Sequence, residues 1–246
     1  MPVEIKHLTH IYMPGSPFET KALDDVSLKI EDGEFIGVIG HTGSGKSTLI
    51  AYMDVLERAK EGHVFVNGVD LGASGVNLTQ IRREVGLVFQ YPEYQLFEET
   101  VAKDVAFGPK QVGMSGEELD RVVKDSIRLT GLDYEEVKER SPFELSGGQK
   151  RRVAIAGVLA MKPEILILDD SASALDYATD ANLRRAIRQM ENPPTTFIVS
   201  QRAASVRFAD QIIVLDDGHV VGLGTHEQLM KNRDIYREVY ESQQEG

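Results

Sequence analysis

Short runs rich in apolar and β-branched residues recur along the chain and predict buried strands. Each run is bounded by glycine or polar residues, the pattern expected of a strand inside a packed domain. The runs are Phe35–Ile39, Val85–Phe89, Ile165–Leu168 and Thr195–Val199. Two segments nearer the N-terminus, 3–12 and 22–30, predict further strands, and Val64–Val66 followed by Asn67-Gly68 predicts a strand and a tight turn.

Other segments have the spacing of helices. Leu119, Val122, Val123 and Ile127 recur at helical intervals and predict a helix over 117–130. Residues 49–53 and 153–156 also predict helices. The polar stretch 54–60 is expected to prolong the first of these as far as Glu61-Gly62. Alternating strand and helix predictions favour an α/β fold.

A glycine-rich segment joins the 35–39 strand to the helix that follows it. It reads Gly40-His41-Thr42-Gly43-Ser44-Gly45-Lys46-Ser47-Thr48. Glycines allow a tight turn that points successive N–H groups at one anion, and the start of the helix adds its positive dipole end. A lysine can reach the β and γ phosphates, and Ser47 can contact Mg²⁺. The segment therefore predicts a nucleotide-binding Walker A loop, the alternative being a plain glycine turn.

A second segment, Leu145-Ser146-Gly147-Gly148-Gln149, precedes an apolar helix. A hydroxyl and two glycines at a helix start predict a second anion site, or else a glycine-capped helix without a ligand. Downstream, the 165–168 strand ends in the carboxylate of Asp169, which can hold Mg²⁺ through water.

These motifs, in this order, resemble the ATPase subunits of ABC transporters over nearly the whole chain. The resemblance implies an α/β P-loop NTPase core with an antiparallel β subdomain, formed by residues 1–90 and 165–246. It also implies an inserted helical subdomain, residues 91–164, that carries the signature motif. In this family ATP is sandwiched between two chains, with Walker A from one and the signature from the other.

The resemblance implies a role for each candidate residue. Tyr12 would stack on adenine, although a half-buried strand tyrosine is the alternative. Gln90 would bind Mg²⁺ or the attacking water, unless it is simply a polar strand end. The remaining expected ligands of ATP are Gly40, Gly43, Ser44, Gly45, Lys46, Ser47, Thr48, Ser146, Gly147, Gly148, Gln149 and Asp176, and those of Mg²⁺ are Ser47, Gln90 and Asp169.

Two positions depart from the pattern of an active ATPase. Asp170 stands where the family has a catalytic glutamate, and a carboxylate misplaced by about 1 Å can cost about 10²-fold in rate. Gln201 stands where the family has a histidine, and losing a transition-state donor costs about 10²–10³-fold. We therefore expect slow hydrolysis. An ATP-dependent association module or a scaffold with negligible turnover is the alternative.

The two ends of the chain resemble different branches of the family. Residues 91–97 and 135–143 resemble energy-coupling-factor importers, whereas Asp170, Gln201 and the segment 171–176 resemble the degenerate-site subunit of heterodimeric exporters. One hypothesis is a chimera joined near 165–170, and the alternative is a natural, divergent ABC ATPase.

Composition narrows the choice of partners. The chain has 246 residues and a net charge of −12, which argues against nucleic acid as a partner. It has no cysteine, which suits a reducing cytosol, and neither a signal peptide nor an apolar run of about 20 residues is visible. We expect a cytoplasmic protein, peripheral to the membrane, that pairs with a second ATPase chain and binds a membrane-spanning subunit through its helical subdomain. His41 and His226 are expected to be ordinary surface residues.

Overall fold

The computed structural model describes residues 2–169 and 177–242, without the side chain of Tyr177. The strands are β1 Val3–Tyr12, β2 Thr20–Ile30, β3 Phe35–Ile39, β4 Glu61–Val66, β5 Val69–Asp70, β6 Val85–Val88, β7 Ile165–Asp169, β8 Thr195–Ser200, β9 Gln211–Asp216 and β10 His219–Gly224. The α-helices are α1 Lys46–Met53, α2 Leu78–Glu84, α3 Val101–Gln111, α4 Gly116–Leu129, α5 Tyr134–Val137, α6 Gly147–Leu159, α7 Tyr177–Arg188, α8 Ala203–Val206, α9 His226–Asn232 and α10 Asp234–Ser242. None of the helices described is long and apolar enough to cross a bilayer.

A six-stranded sheet forms the centre of the molecule, in the order β10-β9-β3-β8-β7-β6. Only its β9–β10 pair is antiparallel among the strand pairs described. Its strands are buried on both faces: Ile36 and Val38 of β3 enter one hydrophobic core, while Phe35 and Ile39 enter another. This alternation explains the continuous apolar runs, since a parallel sheet is covered on both sides.

A second, four-stranded sheet is antiparallel throughout, in the order β2-β1-β4-β5. Asn67 and Gly68 connect β4 to β5 with φ of 50° and 79°, as a two-residue hairpin turn with two left-handed residues requires. The inner face of this antiparallel sheet packs against α1 and one face of the central sheet, and the three share one hydrophobic core. The predicted fold class, with its antiparallel β subdomain, is confirmed.

The segment between β6 and β7 is mostly helical and has a core of its own. Helices α3, α4 and α6 pack together around Val105, Val123, Ile127 and Val153. Helix α4 agrees with the predicted 117–130 to within one residue at each end. This segment corresponds to the proposed helical subdomain, 91–164.

The expected continuation of α1 through residues 54–60 is wrong. The helix ends at Met53, and β4 begins at Glu61. Val55 takes a positive φ of 59°, which a continuing right-handed helix cannot contain. The buried Val55 side chain instead enters the core beside α1, so tertiary packing outweighs the polar, helix-compatible composition of the segment.

Candidate nucleotide-binding site

The glycine-rich loop leaves the carboxyl end of β3, where the strand lies between β8 and β9 in the sheet. Gly45 caps α1 with φ of 103°, and a Cβ at this position would also collide with the backbone oxygen of Ala22 in β2. A Cβ on Gly40 would collide with the backbone oxygen of Leu215. Glycine at these two positions therefore lets the loop pack closely against β2 and β9.

Lys46 lies over this loop at the first residue of α1. Its Nζ donates hydrogen bonds to the backbone oxygens of Gly40, at 2.8 Å, and His41, at 2.7 Å. Ser44 is fully buried below, and its Oγ has no hydrogen-bond partner among the described residues. The loop thus holds its cation at the start of a helix, where dipole and charge both favour an anion.

A cavity of about 240 Å³ opens beside the lysine, lined by Tyr12, Thr20, Ala22, Gly43, Gly45, Lys46, Ser47 and Thr48. Tyr12 reaches it from the end of β1, and its hydroxyl lies 3.2 Å from Thr48 Oγ1. Ser47 is exposed, whereas Thr48 is buried. The structure therefore brings Tyr12 to the predicted phosphate loop from 36 residues away. Its stacking on adenine stays a prediction.

Half-buried His10 and buried Tyr52 support Tyr12 from behind. His10 contacts the Tyr12 ring edge-on, with centroids 4.3 Å apart, and its Nδ1 lies 2.6 Å from the Tyr52 hydroxyl. Burial raises the pKa of Tyr52 to about 12, so its hydroxyl stays protonated and its neutral oxygen keeps the hydrogen bond with His10. Tyr12 is therefore held by a hydrogen-bonded pair that links β1 to α1.

Further candidate residues lie along the same edge of the central sheet. Asp169 ends β7 and pairs in register with Val199 of β8, which in turn pairs with Val38 of β3. Gln90 follows β6, the neighbour of β7, and Gln201 follows β8. Carboxyl ends of parallel strands share one edge, so these residues emerge beside the phosphate loop. Their roles stay predictions.

The predicted signature segment forms the start of α6. Ser146 and Gln149 make a capping box, in which each side chain accepts a hydrogen bond from the other residue's backbone N–H, at 3.3 and 3.0 Å. A Cβ on Gly147 or Gly148 would meet none of the described atoms within 4 Å. Packing within the described chain therefore does not require these glycines. None of the four residues lines the cavity beside Lys46.

Arg151 connects α6 to the segment that begins at Gln90, and the sequence motifs did not predict this contact. Arg151 is 4% exposed on α6, and its Nη2 donates to the backbone oxygen of Gln90 at 3.1 Å and lies 3.6 Å from Glu93 Oε2. Its Nε and Nη1 have no hydrogen-bond partner among the described residues. The apolar residues Ala154 and Ile155 follow Arg151 by three and four positions, which places Arg151 on the apolar face of α6, and this spacing was the available signal. Asp170 and Asp176, with the rest of the 170–176 segment, lie outside the described residues.

The fold and this loop define a P-loop nucleotide-binding protein. A sequence profile described as ABC transporter matches residues 23–173, and the chain belongs to that family. The energy-coupling factor transporter ATP-binding protein EcfA2 of Clostridium acetobutylicum is 49% identical over 242 residues, covering 97% of this chain and 85% of that protein. EcfA2 of Clostridioides difficile is also 49% identical, over 94% of this chain and 82% of that protein.

Solved structures agree with this assignment. The dimeric, post-hydrolysis ATP-binding cassette MJ0796, bound to ADP and Pi, has a TM-score of 0.81 and 31% identity, covering 91% of this chain and 98% of that one. The structure of cbiO1 from Clostridium perfringens, part of the ABC transporter complex cbiONQ, has a TM-score of 0.81 and 29% identity, covering 96% and 93%. The chain is therefore an ABC-type ATP-binding domain.

These comparisons correct one hypothesis. The relationship to EcfA2 covers 97% of the chain, so it extends through both the N-terminal two thirds and the C-terminal third. A chimera joined near 165–170 is not supported, because one natural relative accounts for both parts. Asp170 and Gln201 therefore do not indicate a second parent.

Proposed function

We propose that this protein is an ATP-binding subunit of an energy-coupling-factor type transporter and that it closes on Mg·ATP as a dimer. One observation carries the proposal. A phosphate loop with its lysine lines a cavity, while the open helix start at Gly147-Gly148 lies outside that cavity in the same chain. Two incomplete half-sites of this kind can complete each other between two chains.

The residues along the sheet edge fit a magnesium ion. Asp169 offers a carboxylate, Gln90 an amide oxygen and Ser47 an exposed hydroxyl, which are the oxygen donors that Mg²⁺ prefers. Bound there, the ion would neutralise phosphate charge. Lys46 would hold the β and γ phosphates and Thr48 the α phosphate. Tyr12 would position the base, and Ser146 and Gly147 would contact the partner's γ phosphate.

An aromatic surface on the helical subdomain supports contact with a membrane subunit. The Phe97 and Phe107 rings meet edge-on, with centroids 4.8 Å apart, and both are exposed. Tyr91 and Tyr94 form a second exposed pair, with centroids 6.2 Å apart. Exposed aromatic residues are enriched where proteins bind partners. The subunit would therefore lie peripherally on the cytoplasmic face of a membrane complex.

Dimerisation is tested by light scattering with and without Mg·ATP. Ser146→Arg places a bulky cation in the predicted second anion site and should abolish ATP-driven dimers while leaving nucleotide binding to the monomer intact. Ser115→Arg is the matched control, because Ser115 is an exposed residue that precedes helix α4 in the same subdomain. Dimers that persist in Ser146→Arg would contradict the sandwich.

Hydrolysis is tested by steady-state Mg·ATP turnover of the chain and its Asp170→Glu, Gln201→His double variant. We propose that the chain hydrolyses ATP slowly because the Asp170 side chain is one methylene shorter than glutamate and the Gln201 amide carries no charge. The double variant should be faster by about 10²-fold or more. Equal rates would show that Asp170 and Gln201 do not limit hydrolysis.

A further inference from the structure

A cluster of three ionisable side chains lies on the outer side of the phosphate loop. His41 belongs to the loop, Asp216 is the last residue of β9, and Asp217 follows it in the turn to β10. The Nε2 atom of His41 lies 2.9 Å from Asp216 Oδ1 and 3.5 Å from Asp217 Oδ1. The expectation that His41 is an ordinary surface residue overlooked this meeting, because the two segments are far apart in the chain.

The other ring nitrogen of His41 determines how the cluster must be charged. Its Nδ1 lies 2.7 Å from the backbone oxygen of Thr42. A carbonyl oxygen only accepts, so Nδ1 carries the hydrogen of this bond. In a neutral ring Nε2 then presents a lone pair to the Asp216 carboxylate at 2.9 Å. Two acceptors this close repel each other, so the arrangement needs either a proton between them, on the ring or on the carboxyl, or a metal ion.

We propose that His41, Asp216 and Asp217 bind a divalent transition-metal ion of the Zn²⁺, Co²⁺ or Ni²⁺ class. An imidazole favours these ions over Mg²⁺, which prefers oxygen donors. The Nδ1–H bond to the Thr42 carbonyl is the outer contact that typically fixes a metal-binding histidine with Nε2 towards the ion. Three protein ligands leave a fourth tetrahedral position for water.

Both distances from His41 are near those of a small tetrahedral ion, and the three ligand atoms lie within 4.8 Å of one another. Bond lengths of about 2.0–2.2 Å place tetrahedral ligand atoms about 3.4 Å apart. The separation between His41 Nε2 and Asp217 Oδ1, 3.5 Å, already has this value. Asp216 needs to withdraw by about 0.5 Å, which a small side-chain rotation provides. His41 and Asp217 are both exposed, so an ion can enter from solvent.

This site is separate from the proposed magnesium site but touches the same loop. The backbone oxygen of His41 accepts hydrogen bonds from Lys46 Nζ and from the N–H of Ser44. The N–H of Gly218, in the β9–β10 turn, donates to the backbone oxygen of Ser44 at 3.2 Å. An ion bound by His41 and Asp217 would therefore add a second connection between the turn and the phosphate loop.

The chain supplies its own control. His63 Nδ1 lies 2.9 Å from Asp70 Oδ2, and both belong to the antiparallel sheet. His63 is about as exposed as His41, at 62% against 52% of the side chain. No third carboxylate or imidazole among the described residues completes a metal cluster at this pair. A single histidine–aspartate pair should not bind the ion measurably.

The test is calorimetric titration of the tag-free chain with ZnCl₂, without nucleotide or Mg²⁺. We expect one saturable Zn²⁺ per chain. Asp217→Asn and His41→Gln should each weaken binding about tenfold or more, and His63→Gln should leave it unchanged. Asparagine suits position 217 because it tolerates the positive φ of 43° found there. The visible absorption of bound Co²⁺ should show tetrahedral bands that disappear in Asp217→Asn.

Three results would overturn the proposal. They are the absence of saturable binding, binding that both Asp217→Asn and His41→Gln retain, and an equal loss of binding in His63→Gln. Metal-free melting curves establish that each variant is folded. If Asp217→Asn fails to fold, Asp216→Asn provides the same comparison. A negative outcome would leave a hydrogen bond, without a metal ion, as the contact between His41 and the two aspartates.

Discussion

Arg151 donates a hydrogen bond through Nη2 to the backbone oxygen of Gln90 across 3.1 Å. The two residues belong to different elements: Arg151 lies on α6, shortly after the predicted signature segment, and Gln90 lies two residues beyond the end of β6. The guanidinium is almost fully buried, so the bond forms in surroundings of low dielectric. A movement of the signature helix would therefore act on the segment that begins at Gln90.

Replacing Arg151 by methionine should loosen that segment without unfolding the protein. A hydrogen bond from a charged group stabilises by about 1.5–3 kcal/mol. Without it, local opening of residues 91–97 should become more frequent by about tenfold or more. Global stability should change little, because the variant also removes buried N–H groups that lack partners. Hydrogen exchange by mass spectrometry measures both. Lys150→Met, at the adjacent cation on α6, is the control, and equal exchange in the two variants would refute the coupling.

Removing the Tyr12 ring should weaken nucleotide binding, whereas removing its hydroxyl should not. Stacking of a base on an aromatic ring is worth about 1–3 kcal/mol, so Tyr12→Ala should raise the Kd for ATP by about 5- to 150-fold. Tyr12→Phe keeps the ring and loses only the contact with Thr48. Fluorescence titration compares these variants with Tyr94→Ala, an exposed tyrosine in the helical subdomain. Equal affinities for Tyr12→Ala and Tyr94→Ala would exclude stacking.

Gly45→Ala should destabilise the protein more than Gly43→Ala, although both positions have positive φ, 103° and 86°. Left-handed strain costs each variant about 1–2 kcal/mol. Only Gly45 also faces the backbone of Ala22, and overpacking adds about 1–3 kcal/mol there. Urea unfolding of the two variants isolates this contact, and equal midpoints would show that β2 moves aside.

Asp54 should make the protein less stable as the pH rises. Burial raises the pKa of its carboxyl from 3.8 to about 6, against the opposing charge of Arg82. Because the folded pKa exceeds the unfolded one, the native state binds the extra proton. Its contribution is complete below pH 3.8 and is lost as the pH rises through about 6.

Asp54→Asn should therefore flatten the stability profile in that pH range and raise the free energy of unfolding at pH 7. Urea unfolding at several pH values measures this change. Asp125→Asn, at an exposed carboxyl on α4, is the control for removing a negative charge. If both variants give the same profile, burial of Asp54 does not control its titration.

Much of the fold was predictable because it depends on local patterns. Central strands are apolar at consecutive positions since both faces are covered, so runs such as 35–39 and 165–168 locate them. The Asn67-Gly68 turn was predictable because few residue pairs tolerate two positive φ angles. The end of α1 was not predictable from the sequence, because the Val55 side chain enters a core formed by strands that are distant in the chain.

The sequence by itself determined the phosphate loop and the capped signature helix, since glycine flexibility and helix capping act within a few residues. Only the tertiary structure decided which distant groups meet. Tyr12 reaches Thr48 and Arg151 reaches Gln90 because helices α1 and α6 pack against strands that are distant in the chain. His41 reaches Asp216 because β3 and β9 are neighbours in the central sheet. Such meetings depend on the packing of whole elements, which no short run of residues encodes.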